Sequence, residues 1–220
     1  MRFDLRKMFV LCLILGWPLA HALAFQARLR LLLPVALETS VAGFGDAEPD
    51  SSGVGLAVVT PLTKDFTLGL GYSYYAFFVE EVETVSSAGA NVHVVNRGIF
   101  QNHLFEISGD YLAFKYQAMP LIASMGVELP VAGSGTVSSK TTTLTGQGTS
   151  TETEKDSASS VTGWGLLVAG GIVYGETWEF LLFHQLRTLA YDVKITRPNG
   201  KEEDVVLNTR ATGIGIGYLF

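Results

Sequence analysis

"TGIGIGYLF", Thr212 to Phe220, closes the chain and decides how the rest of it reads. Ile214, Ile216, Tyr218 and Phe220 occupy every second position, and Gly213, Gly215 and Gly217 fill the places between them. A period of two belongs to a β-strand, whose successive side chains point to opposite faces. One face of this strand is large and apolar, the other almost bare. A soluble domain usually lets its end fray into polar residues. Here the apolar face needs a cover.

The same pattern recurs upstream. Residues 26–39 set Leu29, Leu31, Leu33, Val35 and Leu37 against Arg28, Arg30 and Glu38. "GVGLAVVT" sets Val54, Leu56 and Val58 against Gly53, Gly55 and Ala57, and "FTLGLGYSY" repeats the device over 66–74. Segments 99–110, 118–131, 162–174, 178–193 and 205–220 bring the strands expected to eight. Short connections at 62–65, 111–117 and 175–177 alternate with long ones at about 40–52, 81–98, 133–160 and 194–204. A structureless 133–160 would be out of place in a globular domain. Short turns on one side and long loops on the other suit an outer-membrane barrel.

Composition agrees. Apolar residues make up 48% and charged residues 16%, yet beyond the leader no apolar run reaches the roughly 18 residues of a membrane helix. The net charge of −6 and the lack of a basic run exclude a nucleic-acid partner. Residues 1–24 read as an export signal. Arg2, Arg6 and Lys7 precede the apolar "MFVLCLILGWPLA", and Ala22-Leu23-Ala24 marks a cut before Phe25, with Ala20-His21-Ala22 as a second candidate. Pro18 and the short run weigh against a permanent anchor. Cys12, the only cysteine, lies mid-run, unsuited to lipid attachment, so residues 25–220 form a domain without disulfides.

If the large faces meet lipid, the small ones line a narrow interior, and a closed barrel pairs every backbone group. Trp164 and Tyr174 share a face ten residues apart. That is roughly 33 Å along a strand, or about 25 Å of height at a tilt near 40°. Trp164, Tyr174 and Trp178 are the expected aromatic girdle. A secreted β-sandwich or lipocalin-like barrel is the alternative, and it would leave the glycine face as a surface short of polar groups.

The ending also resembles the C-terminal assembly signal of bacterial outer-membrane barrels. Gly215, Tyr218 and Phe220 fall on its glycine and two aromatic places, and Gly213 stands where a polar residue is usual. The whole exported chain resembles the small OmpA, OmpX and OmpW-type proteins. The resemblance implies an all-β, eight-stranded, antiparallel up-and-down transmembrane barrel in the outer membrane of a Gram-negative bacterium. Its implied partners are outer-membrane lipid and the barrel-assembly machinery.

Arg28, Arg30, Glu38, Glu106, Asp110, Glu128, Glu179 and Arg187 fall on the inward face. Unpaired charges are costly in a narrow lumen, so acids and bases should pair. They form either a plug, as the OmpA likeness implies, or a charged path. The OmpW likeness implies a third route, sideways between strands. Passive passage of small solutes by a narrow or lateral route is the expected work. The alternative is a barrel that only anchors loops for an extracellular ligand, or a purely structural one.

Strand 178–193 breaks phase: Trp178, Phe180 and Leu182 continue to His184, while Leu189, Tyr191 and Val193 lie opposite. Either a β-bulge near 184–188 repairs this, or His184 faces outward. Outer-membrane lipid A deacylases are similar barrels carrying an outward histidine with a serine two places on. Leu186 occupies that place here, so no enzyme activity is expected. His93 and His103 lack partners at metal-ligand spacing and read as loop or strand-end residues, and no cofactor or metal motif is present. Each long connection holds three acids: Asp46, Glu48 and Asp50; Glu80, Glu81 and Glu83; Glu152, Glu154 and Asp156; Glu202, Glu203 and Asp204. They set negative charge at one rim, as a solvated surface, a divalent-cation site or a cation-selecting mouth. The loop 133–160 is too polar to bury its own core, so mobility is expected there.

Overall fold

The structure is a computed structural model that describes residues 28–219, except 45–46, 48, 88–89, 117–118, 176 and 197–201. The expected export signal, Phe220, Asp46 and Glu48 lie outside the described residues. The strands are β1 (Arg28–Ala42), β2 (Asp50–Pro61), β3 (Phe66–Ser87), β4 (Ala90–Tyr116), β5 (Met119–Thr145), β6 (Gly148–Ala158), β7 (Val161–Tyr174), β8 (Trp178–Thr196) and β9 (Glu202–Leu219). Every ladder is antiparallel. β1 pairs with both β2 and β9, and β4 with both β3 and β5, so eight strands close into a ring. β6 stands outside the ring, paired with β5 from Gly135↔Ala158 to Thr145↔Gly148. Lower down β5 pairs with β7. β6 and β7 are thus two lengths of one stave, broken at Ser159–Ser160.

The alternation in the sequence becomes the two sides of the wall. Leu70, Ile107, Val127, Val168, Leu182 and Ile214 stand exposed on the outside. An apolar outer belt on a closed barrel is how strands cross the outer membrane, where no water can satisfy an open edge. At its lower border Tyr174, Trp178 and Tyr218 sit in one cross-strand row, the last two in T-shaped contact at 4.8 Å. Trp164 marks the upper border of β7.

Inside, the glycine face is not left bare. Tyr75 lies across its strand partner Gly53, so close that no Cβ fits, and Phe100 lies against Gly98 and Gly135 in the same way. The upper interior is an apolar core around Phe44, Tyr75, Phe77, Phe100, Leu189 and Tyr191. A smaller layer of Leu32, Leu167, Ala169 and Phe183 lies below it.

Several expectations change. The connections 81–98 and 133–160 fold as hairpins that prolong β3, β4 and β5 and add β6, turning in the second case over Gly146–Gln147. Alternating valine and threonine favour the extended chain, and a growing ladder satisfies the backbone without a core of its own. β8 keeps one phase from Trp178 to Ala190, with no bulge at 184–188. His184 therefore points outward, and Leu189, Tyr191 and Val193 enter the upper core. The shift falls on β1 instead, between Pro34 and Ala36. Proline has no N–H to give a ladder and is at home in a bulge. Leu37 consequently packs on the core while Glu38 stands exposed outside, the reverse of the sequence expectation.

Candidate functional site

Two places concentrate polar chemistry: the lumen and the outer rim. In the lower lumen Arg30 donates from Nε to Glu179 Oε1 at 2.5 Å and from Nη2 to Asp110 Oδ2 at 2.7 Å. Arg28 reaches Glu179 at 3.3 Å, and the Thr67 hydroxyl donates to Asp110 at 2.8 Å. Higher up, Arg187 donates to both oxygens of Glu128, at 2.5 and 3.0 Å, and to Tyr75 Oη at 2.7 Å. Its guanidinium lies 3.9 Å from the centre of the Tyr75 ring. Tyr75 in turn donates to Gln185, and Gln185 to Glu128. Glu106 is buried beside its strand partner Glu128.

Seven of the eight residues expected to face the lumen do so, Arg28 half-buried and the others buried; Glu38 is the one placed outside. Tyr75 and Gln185 were missed. The aromatic run at 72–75 and the neutral amide two places before Arg187 gave only a weak signal. Arginine and carboxylate in such closeness are costly to desolvate and costly to separate. They tie β1 to β4 and β8, and β5 to β8, across the bore. An apolar layer of Leu32, Leu167, Ala169 and Phe183 lies between the two ionic ones.

At the rim, the ladder between β7 and β8 ends at Val161↔Tyr191. Above it, among the described residues, no ladder joins β6 to β8: β6 pairs with β5, and the upper part of β8 pairs with β9 at 194–196. The two edges are stapled at their base by Asp192. Its Oδ1 accepts the backbone N–H groups of Ser159 at 3.0 Å and Ser160 at 3.1 Å. These donors hold the Asp192 carboxyl below its ordinary range. Above the staple a groove of about 700 Å³ runs between the edges, lined by Glu154, Asp156, Asp192, Glu202 and Asp204 with Lys155 and Lys194. Lys194 is tied to Glu202 at 3.2 Å. Of the acids in the long connections, Glu154, Asp156, Glu202 and Asp204 meet at this groove.

A second seam opens lower down. The ladder between β5 and β7 stops at Glu128↔Gly165, and β5 resumes pairing with β6 only at Gly135. Gly163 sits there at φ +144°, a conformation open to glycine. Val161 presses against Gly133 where a Cβ would collide, and Tyr191 donates to Asn102 behind it.

Trp164, Tyr174 and Trp178 stand exposed on the outer wall. Gly215 faces inward and Tyr218 outward. His184 Nδ1 shares a hydrogen bond of 2.9 Å with Thr212 Oγ1. His103 is neither in a loop nor at a strand end: it packs between Tyr72 and Tyr74 on the wall. His93 bonds to Thr84 in the β3–β4 hairpin.

No protein-family model matches the sequence, and no curated protein matches it. Among solved structures the chain is similar to Ail, the attachment invasion locus protein of Yersinia pestis. The identity is 11%, over 88% of this chain and 99% of that one, with a TM-score of 0.41. It is also similar to the outer membrane protein OprG of Pseudomonas aeruginosa (13% identity, 89% and 94% covered, TM-score 0.40). Neisserial surface protein A is a further similar structure (12%, 89% and 97%, 0.39).

Proposed function

We propose that this outer-membrane barrel is an anchor whose extracellular strands bind an extended, basic polypeptide segment. The observation that carries the reading is the groove between β6 and β8. A strand edge presents a row of N–H and C=O groups to whatever chain lies beside it. A segment that enters the groove gains main-chain bonds by strand addition, and its alternate side chains meet the rim. Glu154, Asp156 and Asp204 supply the charge that selects lysine or arginine at those positions.

The test uses the barrel in nanodiscs and a short fluorescent peptide alternating lysine and valine. Binding should follow peptide concentration and weaken with salt. The same peptide with proline replacing each valine keeps the charge and loses half its donors, and it should bind far more weakly. Equal binding of the two peptides would reduce the groove to a nonspecific acidic surface.

The seam between β5 and β7 supports a second reading, lateral passage of small apolar solutes from the upper interior into the membrane. Gly133→Val would wedge against Val161 and should change uptake of an apolar solute into vesicles. Peptide binding should be unaffected. Passage straight along the axis has less support, because both ionic layers would have to part.

A further inference from the structure

The outer wall of β8, β9 and β1 is not apolar throughout. Its lower rows are: Leu182, Ile214 and Leu33 lie side by side, in register with Gly170 of β7. Two residues higher the row reads Val168, His184, Thr212 and Ala36. The next reads Leu166, Leu186, Arg210 and Glu38, and the one above it Trp164, Thr188, Asn208 and Ser40. The wall thus turns polar on three strands at the level where Trp164 closes the apolar belt on β7. The upper two rows, Leu166 apart, line a groove of about 510 Å³. The Thr188 hydroxyl donates to Asn208 Oδ1 at 2.9 Å.

Polar and charged groups on a lipid-facing wall are destabilising at mid-depth and nearly free at the interface. Trp164 lies about 25 Å above the lower aromatic row, so this groove sits among headgroups and not among acyl chains. We propose that it binds the headgroup of a phosphorylated glycolipid of the outer leaflet. Arg210 supplies a forked donor for a phosphate. Asn208, Thr188 and Ser40 offer donors and acceptors to sugar hydroxyls, Glu38 accepts from them, and Trp164 gives a flat face for a sugar ring. Below the groove, Val168 and Ala36 flank His184 and Thr212, and one row lower Leu182, Ile214 and Leu33 resume the apolar wall along which the acyl chains lie.

The experiment places the full barrel in nanodiscs that contain equal amounts of a bisphosphorylated glucosamine-based lipid and phosphatidylglycerol. Lipids retained on the protein are then counted by native mass spectrometry. The wild-type barrel should retain the glycolipid in preference. Arg210→Ala should lower that retention about fivefold, the weight of one interfacial arginine, and Asn208→Ala should lower it too. Arg97→Ala, a surface cation elsewhere on the wall, should leave it unchanged. Heat-modifiable gel mobility verifies that each variant is folded. Equal retention of both lipids by the wild type, or full retention by both groove variants, overturns the proposal. So does equally tight binding of free glucosamine phosphate, which would make the groove a site for a soluble ligand.

Discussion

Replacing Arg30 by methionine tests whether the lower ionic layer holds the barrel shut. The side chain is buried and bridges Asp110 and Glu179. Its loss strands two carboxylates in the bore, and breaking a buried pair costs about 3–5 kcal/mol. Both acids keep one partner, Thr67 for Asp110 and Arg28 for Glu179. The loss therefore belongs at the lower end, about 3 kcal/mol. With an m-value of about 2 kcal/mol/M in urea, the unfolding midpoint should fall by about 1.5 M. Folded barrel in lipid vesicles, followed by tryptophan fluorescence and gel mobility in urea, gives the number. The triple variant Arg30→Met, Asp110→Asn, Glu179→Gln removes the stranded charges and should regain at least half of the loss. A single variant within about 0.5 M of wild type, or a triple no better than the single, refutes the reasoning.

Gly53→Ala should destabilise by about 1–3 kcal/mol, because the new methyl group collides with the Tyr75 ring and pushes it off Gln185 and Arg187; denaturant midpoints check this. In a planar bilayer the wild-type barrel should give no discrete openings, and reproducible unitary currents would show that the two ionic layers part. The Asp192 carboxyl is held below its ordinary range by Ser159 and Ser160. The stabilisation it gives to the base of β6 is thus fully present above the unfolded value of about 3.9 and disappears as pH falls through the lower folded one. Amide hydrogen exchange at Ser159 and Ser160 should show that acid step, and Asp192→Asn should abolish it.

The ring of strands was legible because alternation survives in the sequence wherever one side of a wall is lipid. Gly213 to Phe220 and Phe66 to Tyr74 show it directly. The lumen charges were legible for the same reason, save at Glu38. There a bulge at Pro34–Ala36 exchanged the two faces, and a period of two cannot reveal where it slips. The upper interior misled in the opposite sense. Leu189, Tyr191 and Val193 looked out of phase because a lumen was expected to be polar, whereas this one is filled with rings and aliphatic side chains. The β5–β6 hairpin stayed hidden because ladders between polar threonine-rich strands leave no apolar signature. Neither groove is visible in sequence, since each is made where pairings end or where four strands align.

The break at Ser159–Ser160 divides one stave between two solvents. Below it, each substitution answers to lipid and to the packed bore. Above it, β6 answers to water, to β5 and to the facing edge of β8. Sequence on the outer hairpin is therefore free to drift, lengthen or be exchanged without disturbing closure of the ring. The membrane part is a fixed socket, and what it displays to the surroundings can be replaced one hairpin at a time.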